Sequence, residues 1–239
     1  MLYFYRNYSP FGTLCSIGPG CRCIRVFYFW EGVFNEMSRQ KFFIDGFNVY
    51  HALAHDARYH KYKWLDYSKL ASLFVRQQDQ IGDILYFTAL ANWDMQKVNR
   101  HKVLIAALKF KGVKVILGQF QKVERRCRKC HQHYYTFEEK KTDVNIAVEI
   151  MKSAVKDEFD TAIIMSGDSD LVPAVEAVKT LFPAKKVGVV IPINWRAVLL
   201  KQVCDFHMRM KEKHLQASIF PDEIDLGGGI KLSRPSTWN

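Results

Sequence analysis

Acidic residues stand where apolar runs of this chain stop. Asp168 and Asp170 lie two residues apart in Met165-Ser-Gly-Asp-Ser-Asp-Leu-Val-Pro173, directly after the apolar run Thr161–Met165. Asp45 ends Lys41-Phe-Phe-Ile-Asp45 and is followed by Gly46-Phe-Asn48. Asp143 stands at the start of an amphipathic stretch. An Asp that ends an apolar strand needs a partner, because an unpaired charge away from water is costly. Carboxylates brought within a few ångströms repel one another and persist as anions only with cations between them. Hard oxygen donors select Mg²⁺ or Mn²⁺. Such ions activate a water and stabilise an in-line phosphoryl transition state. The catalytic candidates are therefore Asp45, Asp143, Asp168 and Asp170, all four also as metal ligands, with Asn48 and Ser166 to orient water or a ligating carboxylate. Gly46 and Gly167 carry no side chain and are expected to let substrate approach the backbone. The same residues have plain structural uses: turn chemistry for Asp168 and Asp170, and a place in the first turn of a helix for Asp143 and Asp170.

The elements that must position these acids alternate. Apolar strand runs cover 41–45, 83–89, 113–118, 160–166 and 186–191, and helical patterns fall between them at 66–78, 94–111, 142–157 and 170–182, with a last helix over 195–215. In 142–157, Val144, Ala147, Val148, Met151 and Val155 recur at helical spacing, with Thr142 as the expected N-cap. Apolar strands separated by helices predict an α/β fold, a Rossmann-like three-layer sandwich with a mainly parallel central sheet. Ligands of such sheets bind beyond the carboxyl ends of the strands, where strand order reverses. If the first and fourth strands are neighbours there, Asp45, Asp168 and Asp170 converge. Glu149, on another face of its helix from Asp143, reads as supporting at most, or as solvated.

Residues 1–36 are unlike the rest, with Cys15, Cys21, Cys23 and the cluster Ile17-Gly-Pro-Gly20 but no periodicity. Met37 reads as the biological start, with a genuine flexible arm over 1–36 as the alternative. The domain is expected over 37–220 with an insert at 122–140, followed by a flexible tail over 221–239, disordered from about Gly227.

Lys and Arg number 35 against 24 Asp and Glu, a formal charge of +11. Between Lys97 and Lys141 there are thirteen basic residues and three Glu. A clustered surplus points to a polyanion partner. Arg22 and Arg25 interrupt the only stretch resembling a signal peptide, and no apolar run approaches the roughly 20 residues a bilayer span needs. The six Cys therefore read as cytoplasmic thiols or metal ligands, not a disulfide framework. Neither G-x-G-x-x-G nor G-x-x-x-x-G-K-[ST] occurs, which argues against dinucleotide and P-loop readings.

The insert carries Cys127-Arg-Lys-Cys-His-Gln-His133. A C-x-x-C with nearby His suggests Zn²⁺ on Cys127, Cys130 and His133, completed by a remote ligand or a second subunit. The plain alternative is a pair of reduced thiols at the tip of a short β-ribbon. Arg125, Arg126, Arg128, Lys129 and Lys141, beside Tyr134, Tyr135 and Phe137, suit single-stranded nucleic acid, where charge tracks the backbone and rings stack bases. Packed aromatics with solvated charges are the competing use. Lys97, Arg100, Lys102 and Lys109 extend the basic path.

Three segments, Ile44-Asp-Gly-Phe-Asn48, Lys141-Thr-Asp-Val-Asn-Ile-Ala-Val148 and Ser166-Gly-Asp-Ser-Asp-Leu-Val-Pro173, together resemble the NYN domain family, a branch of the PIN-like nucleases. The resemblance spans roughly residues 40–207. It implies a Rossmann-like sandwich, divalent metal at an acidic cluster and ribonuclease activity. Carried over, Asp45, Asp143, Asp168 and Asp170 bind metal, supported by Asn48 and Ser166. Such domains often have Asp where this chain has Glu149. The resulting expectation is a cytoplasmic, Mg²⁺- or Mn²⁺-dependent ribonuclease acting on single-stranded RNA, without a membrane partner and able to self-associate. The alternative is an RNA-binding or regulatory module that kept the fold without the chemistry. A small-molecule phosphohydrolase is a weaker third, since the phosphatases with Asp-x-Asp after the first strand differ from Asp45-Gly-Phe here.

Overall fold

A computed structural model describes residues 37–238, and the expectations for 1–36 lie outside them. In chain order the elements are β1 (Arg39–Asp45), α1 (Gly46–Ala54), α2 (Tyr67–Ser72), β2 (Gln80–Thr88), α3 (Met95–Phe110), β3 (Lys114–Leu117), β4 (Gln119–Arg126), β5 (His133–Lys140), α4 (Thr142–Val155), β6 (Thr161–Met165), α5 (Val172–Leu181), β7 (Lys186–Ile191), α6 (Val198–Val203), β8 (Phe206–Arg209), α7 (Glu212–Ala217), β9 (Glu223–Asp225) and β10 (Lys231–Ser233). Six strands form one parallel sheet in the order β3-β2-β1-β6-β7-β8.

The sheet is buried on both faces, so its strands read as continuous apolar runs. Along β1, Phe42 and Ile44 join a core closed by α1, α2 and α3, whereas Phe43 points to the opposite core with Ile146, Ile150 and Val175 from α4 and α5. The result is the expected three-layer α/β sandwich. Strand order reverses between β1 and β6, so the crevice beyond their carboxyl ends is the switch point.

Several local expectations change. The apolar stripe Val144, Val148 and Val155 of α4 faces solvent, at 64%, 55% and 69% exposure, and the helix instead docks through Ile146, Ile150 and Ala154. Both rows recur at helical spacing, and only contact with the sheet chooses between them. Thr142 is not the cap. Lys141 holds that place in a left-handed conformation (φ 77°), and the Glu139 carboxylate accepts from the Thr142 N–H at 3.0 Å and from its hydroxyl. Expected helix 195–215 is broken into α6, β8 and α7. The Asp205 carboxylate accepts from Val187 N–H at 2.7 Å, and β8 adds a sixth strand. Gly188 makes room for it, since a Cβ there would lie 2.2 Å from the Phe206 ring.

Within the stretch expected as a flexible tail, residues 221–238 form defined structure. β9 and β10 pair antiparallel, Trp238 is buried with its ring 6.4 Å from that of Trp64, and Trp64 Nε1 donates to Pro221 O at 2.8 Å. Burial of a large aromatic side chain holds the end of the chain on the first core. The insert is a two-stranded antiparallel ribbon over β4 and β5, in register from Gln119↔Lys140 to Arg126↔His133. Among the described residues no helix is long and apolar enough to cross a membrane.

Candidate metal centre at the sheet edge

β1 delivers Asp45 to the crevice at 3% exposure, and the chain turns at once into α1. Asp45 Oδ1 accepts from Asn48 N–H at 3.0 Å, which caps α1. Its Oδ2 accepts from the Ser166 hydroxyl at 2.8 Å. Ser166 Oγ in turn accepts from Asp168 N–H at 3.0 Å, and Asn48 Oδ1 accepts from Gly167 N–H at 2.8 Å. Asp168 Oδ1 accepts from Asp170 N–H at 3.0 Å and starts a single 3-10 turn before α5. The ends of β1 and β6 are thus laced together by side chains that were all legible as polar residues after apolar runs. The turn and capping uses are real for Asp45 and Asp168, and each employs one carboxylate oxygen as acceptor for a backbone N–H.

The remaining electrostatics are unfavourable without a cation. Burial pushes the Asp45 carboxyl up to about 6, with the Asp143 and Asp168 charges adding to it and the Asn48 and Ser166 donors opposing. Asp143 also rises to about 6, through burial first and then the charges of Asp168, Glu139 and Asp170. Among the described residues none of Asp45, Asp143, Asp168 and Asp170 forms an ion pair with Lys, Arg or His. That donor set, hard oxygens without a countercharge, suits a divalent ion. The acids are neighbours but not preassembled: among the described residues no group of three or more His, Cys, Asp or Glu closes on one point. Glu149 is paired with Lys152 at 2.8 Å on its own helix.

Other expectations need revision. Gly46 and Gly167 are spaces for protein rather than substrate. A Cβ on Gly46 would sit 2.5 Å from Tyr86 Cζ, and one on Gly167 would sit 2.8 Å from Trp195 Cε3. In the ribbon, Arg125 is neutralised by Glu138, Lys141 Nζ donates to Gln119 at 3.0 Å, and Arg126 Nε donates to His131 O at 3.3 Å. His133 Nδ1 lies 2.8 Å from Glu124 Oε1, an alternative partner to the thiols it was expected to join. Arg128 and Lys129 have no acidic partner among the described residues, and Tyr134 is half exposed.

Sequence reasoning also missed residues. Glu139, at the end of the ribbon, binds Thr142 and adds its charge to the Asp143 environment. Tyr67, Tyr86 and Thr88 are buried near Asp45, Thr88 Oγ1 lies 3.1 Å from His101 Nε2, and burial pushes His101 down to about 4. A polar residue at the end of β2 beside Asp45 was their only linear signal. The ribbon is seated by rings: Phe47 packs on Phe120 (5.4 Å), Phe120 on Trp93 (4.6 Å), and Trp93 stacks on Phe137 at 3.9 Å and 10°. Phe47 is two residues from Asp45, so the basic ribbon stands beside the acids. A cavity of about 440 Å³ is lined by His51, Ala52, Ala54, His55, Asn194 and Trp195.

An open parallel sheet with uncompensated carboxylates at its switch point is the architecture of PIN-like domains. The profile of the NYN domain matches residues 41–209, and the chain belongs to that family. It is 24% identical over 197 residues to the 6-hydroxy-3-succinoylpyridine 3-monooxygenase HspA of Pseudomonas putida (strain DSM 28022 / S16), covering 67% of this chain and 61% of that protein. The chain thus spans about three fifths of that relative's length. A crystal structure of VPA0982, a protein of unknown function from Vibrio parahaemolyticus RIMD 2210633, superposes with a TM-score of 0.51 at 20% identity, covering 74% of this chain and 94% of that one. That likeness concerns the fold alone.

Proposed function

We propose that this chain is a metal-dependent ribonuclease that hydrolyses phosphodiester bonds of single-stranded RNA. The observation that carries the reading is the cluster of Asp45 and Asp143, each pushed up to about 6, with Asp168 beside both and, among the described residues, no cationic side chain paired with them. NYN domains are generally nuclease-like and bind RNA, and their activity usually depends on divalent metal. Asp45, Asp143, Asp168 and Asp170 would hold Mg²⁺ or Mn²⁺, which supplies an activated water and charge stabilisation for in-line attack on phosphate.

The protein's own residues do the rest. Asn48 N–H and the Ser166 hydroxyl fix the Asp45 carboxylate in one orientation. Gly167 and Asp168 are tied to the same pair through their N–H groups, which links the ends of both strands. Arg126, Arg128, Lys129, Tyr134 and Lys141, with the neutralised Arg125 at the edge of the path, offer charge and a ring to a strand lying along the ribbon. The cavity lined by Trp195, whose ring lies against Gly167, offers an aromatic wall near the acids.

One observation favours a second reading. The acids are not preassembled on one point, which suits an RNA-binding module without turnover. The hydroxylation named for the Pseudomonas relative belongs to a longer protein and is not carried over.

Cleavage of labelled single-stranded RNA with Mn²⁺ or Mg²⁺ tests the proposal, using wild type, Asp45→Asn and Asp168→Asn. Chelator-sensitive cleavage lost in both variants is expected. Tight, salt-dependent binding without any cleavage would replace it with the binding-module reading.

A further inference from the structure

The ribbon tip holds chemistry that RNA binding does not use. Residues 127–132 close a tight loop between β4 and β5: Cys127 N–H donates to Gln132 O and His131 N–H donates to Cys127 O, both at 2.9 Å, with His131 at φ 56°. Cys127 and Cys130 thus stand three residues apart in one turn, and the Cys130 thiol donates to Gln132 Oε1 at 4.0 Å. Both thiols are free, Cys130 is exposed, and Cys127 is partly so. A C-x-x-C in the turn at the tip of a β-ribbon has the ligand spacing of half a structural zinc site.

We propose that Cys127 and Cys130 form half of a tetrahedral Zn²⁺ site completed by the same two residues of a second copy of this chain. Structural zinc sites are closed at four ligands. The tip supplies two. His133 is drawn to Glu124 across the ribbon, and among the described residues no third His, Cys, Asp or Glu joins the pair. Two identical tips meeting about a two-fold axis supply four thiolates from one repeated patch, the self-complementary arrangement of a symmetric dimer. The tip is exposed enough to meet its copy, and Tyr134 and Tyr135 beside it are 50% and 60% exposed. Four thiolates around Zn²⁺ carry a net charge of about −2. Arg128 and Lys129 of each copy, unpaired with acids among the described residues, stand beside that charge. Zinc binding releases the thiol protons to solvent.

The test uses the full chain, reduced and stripped with a chelator, then titrated with ZnCl₂. Mass is followed by light scattering and bound metal by elemental analysis. The expected result is one zinc per two chains with a doubling of mass, reversed by chelator. Co²⁺ in place of Zn²⁺ should show the absorption of a tetrahedral four-thiolate complex. Cys127→Ser and Cys130→Ser should each abolish metal uptake and mass doubling while leaving the melting temperature of the metal-free protein unchanged. The variant Cys15→Ser/Cys21→Ser/Cys23→Ser, altered only outside the described residues, should retain both. Zinc taken up at one per chain without a change of mass, or uptake that survives Cys127→Ser, overturns the proposal. So does loss of uptake in the triple variant. None of these readouts depends on RNA cleavage.

Discussion

The Ser166 hydroxyl donates to Asp45 Oδ2 at 2.8 Å across 121 positions of sequence, and its oxygen accepts from Asp168 N–H. One small side chain thereby ties the Asp45 carboxylate at the end of β1 to the backbone of Asp168 just after β6. Ser166→Ala removes both bonds in a fully buried place, where an unmet polar group costs about 1–3 kcal/mol. We expect a lower melting temperature and RNA cleavage at least tenfold slower. A variant with wild-type stability and rate would show that the contact does not organise the site.

Asp45 makes stability depend on pH in a defined direction. Its carboxyl is raised to about 6 in the folded protein, from 3.8. A raised carboxyl contributes stability that is fully present below the unfolded value and lost as pH rises through the folded one. In the presence of chelator, Asp45→Asn should therefore melt above wild type at pH 7.5, and the gap should close towards pH 4. At roughly 1.4 kcal/mol per pKa unit the gap is at most about 3 kcal/mol. Mn²⁺ at pH 7.5 should raise the wild-type melting temperature and leave Asp45→Asn unmoved. Equal melting curves at both ends of the range would remove the buried charge from the account.

Trp93 and Phe137 stack at 3.9 Å and fasten the ribbon to the segment between β2 and α3. An aromatic pair of this kind contributes about 1 kcal/mol beyond burial. Trp93→Ala should raise amide exchange across 119–140 while the central sheet keeps its protection. It should also weaken RNA binding through loss of the ribbon's position. Unchanged exchange in the ribbon would show that β4 and β5 hold their place without the stack.

Arg128 and Lys129 have no acidic partner among the described residues, whereas Arg125 is spent on Glu138. The double variant Arg128→Ala/Lys129→Ala should weaken RNA binding and reduce the slope of log K against log salt by up to about 1.4, at ~0.7 per phosphate contact on a single strand. Arg125→Ala should change the slope less. Titrations at several salt concentrations distinguish these outcomes, and a larger effect from Arg125 would reverse the assignment.

Trp238 is buried against Trp64 near the end of the chain. Trp238→Ala should cost about 3 kcal/mol, in the range of large-to-small aromatic truncations in cores. Urea unfolding measures it, and a change within about 0.5 kcal/mol, the size of an ordinary surface substitution, would return these residues to the status of a tail.

The sequence by itself determined the parallel sheet and the identity of its acids. Strands buried on both faces must be apolar throughout, so β1, β2, β6 and β7 stand out as runs, and a carboxylate directly after such a run is conspicuous whatever the neighbours are. Tertiary structure decided what those acids meet. That β1 lies beside β6, that Ser166 joins the Asn48 N–H in satisfying Asp45, and that Glu139 adds its charge near Asp143 all depend on strand order across long stretches of chain. Which row of α4 is buried was open in one dimension, because the Val144-Val148-Val155 and Ile146-Ile150 rows are both apolar at helical spacing. The last helix and the tail failed for the same reason: β8 exists because a sheet edge and Gly188 accept it, and Trp238 is ordered because Trp64 is there to cover it. Local pattern names the groups that need partners, and only packing supplies the partners.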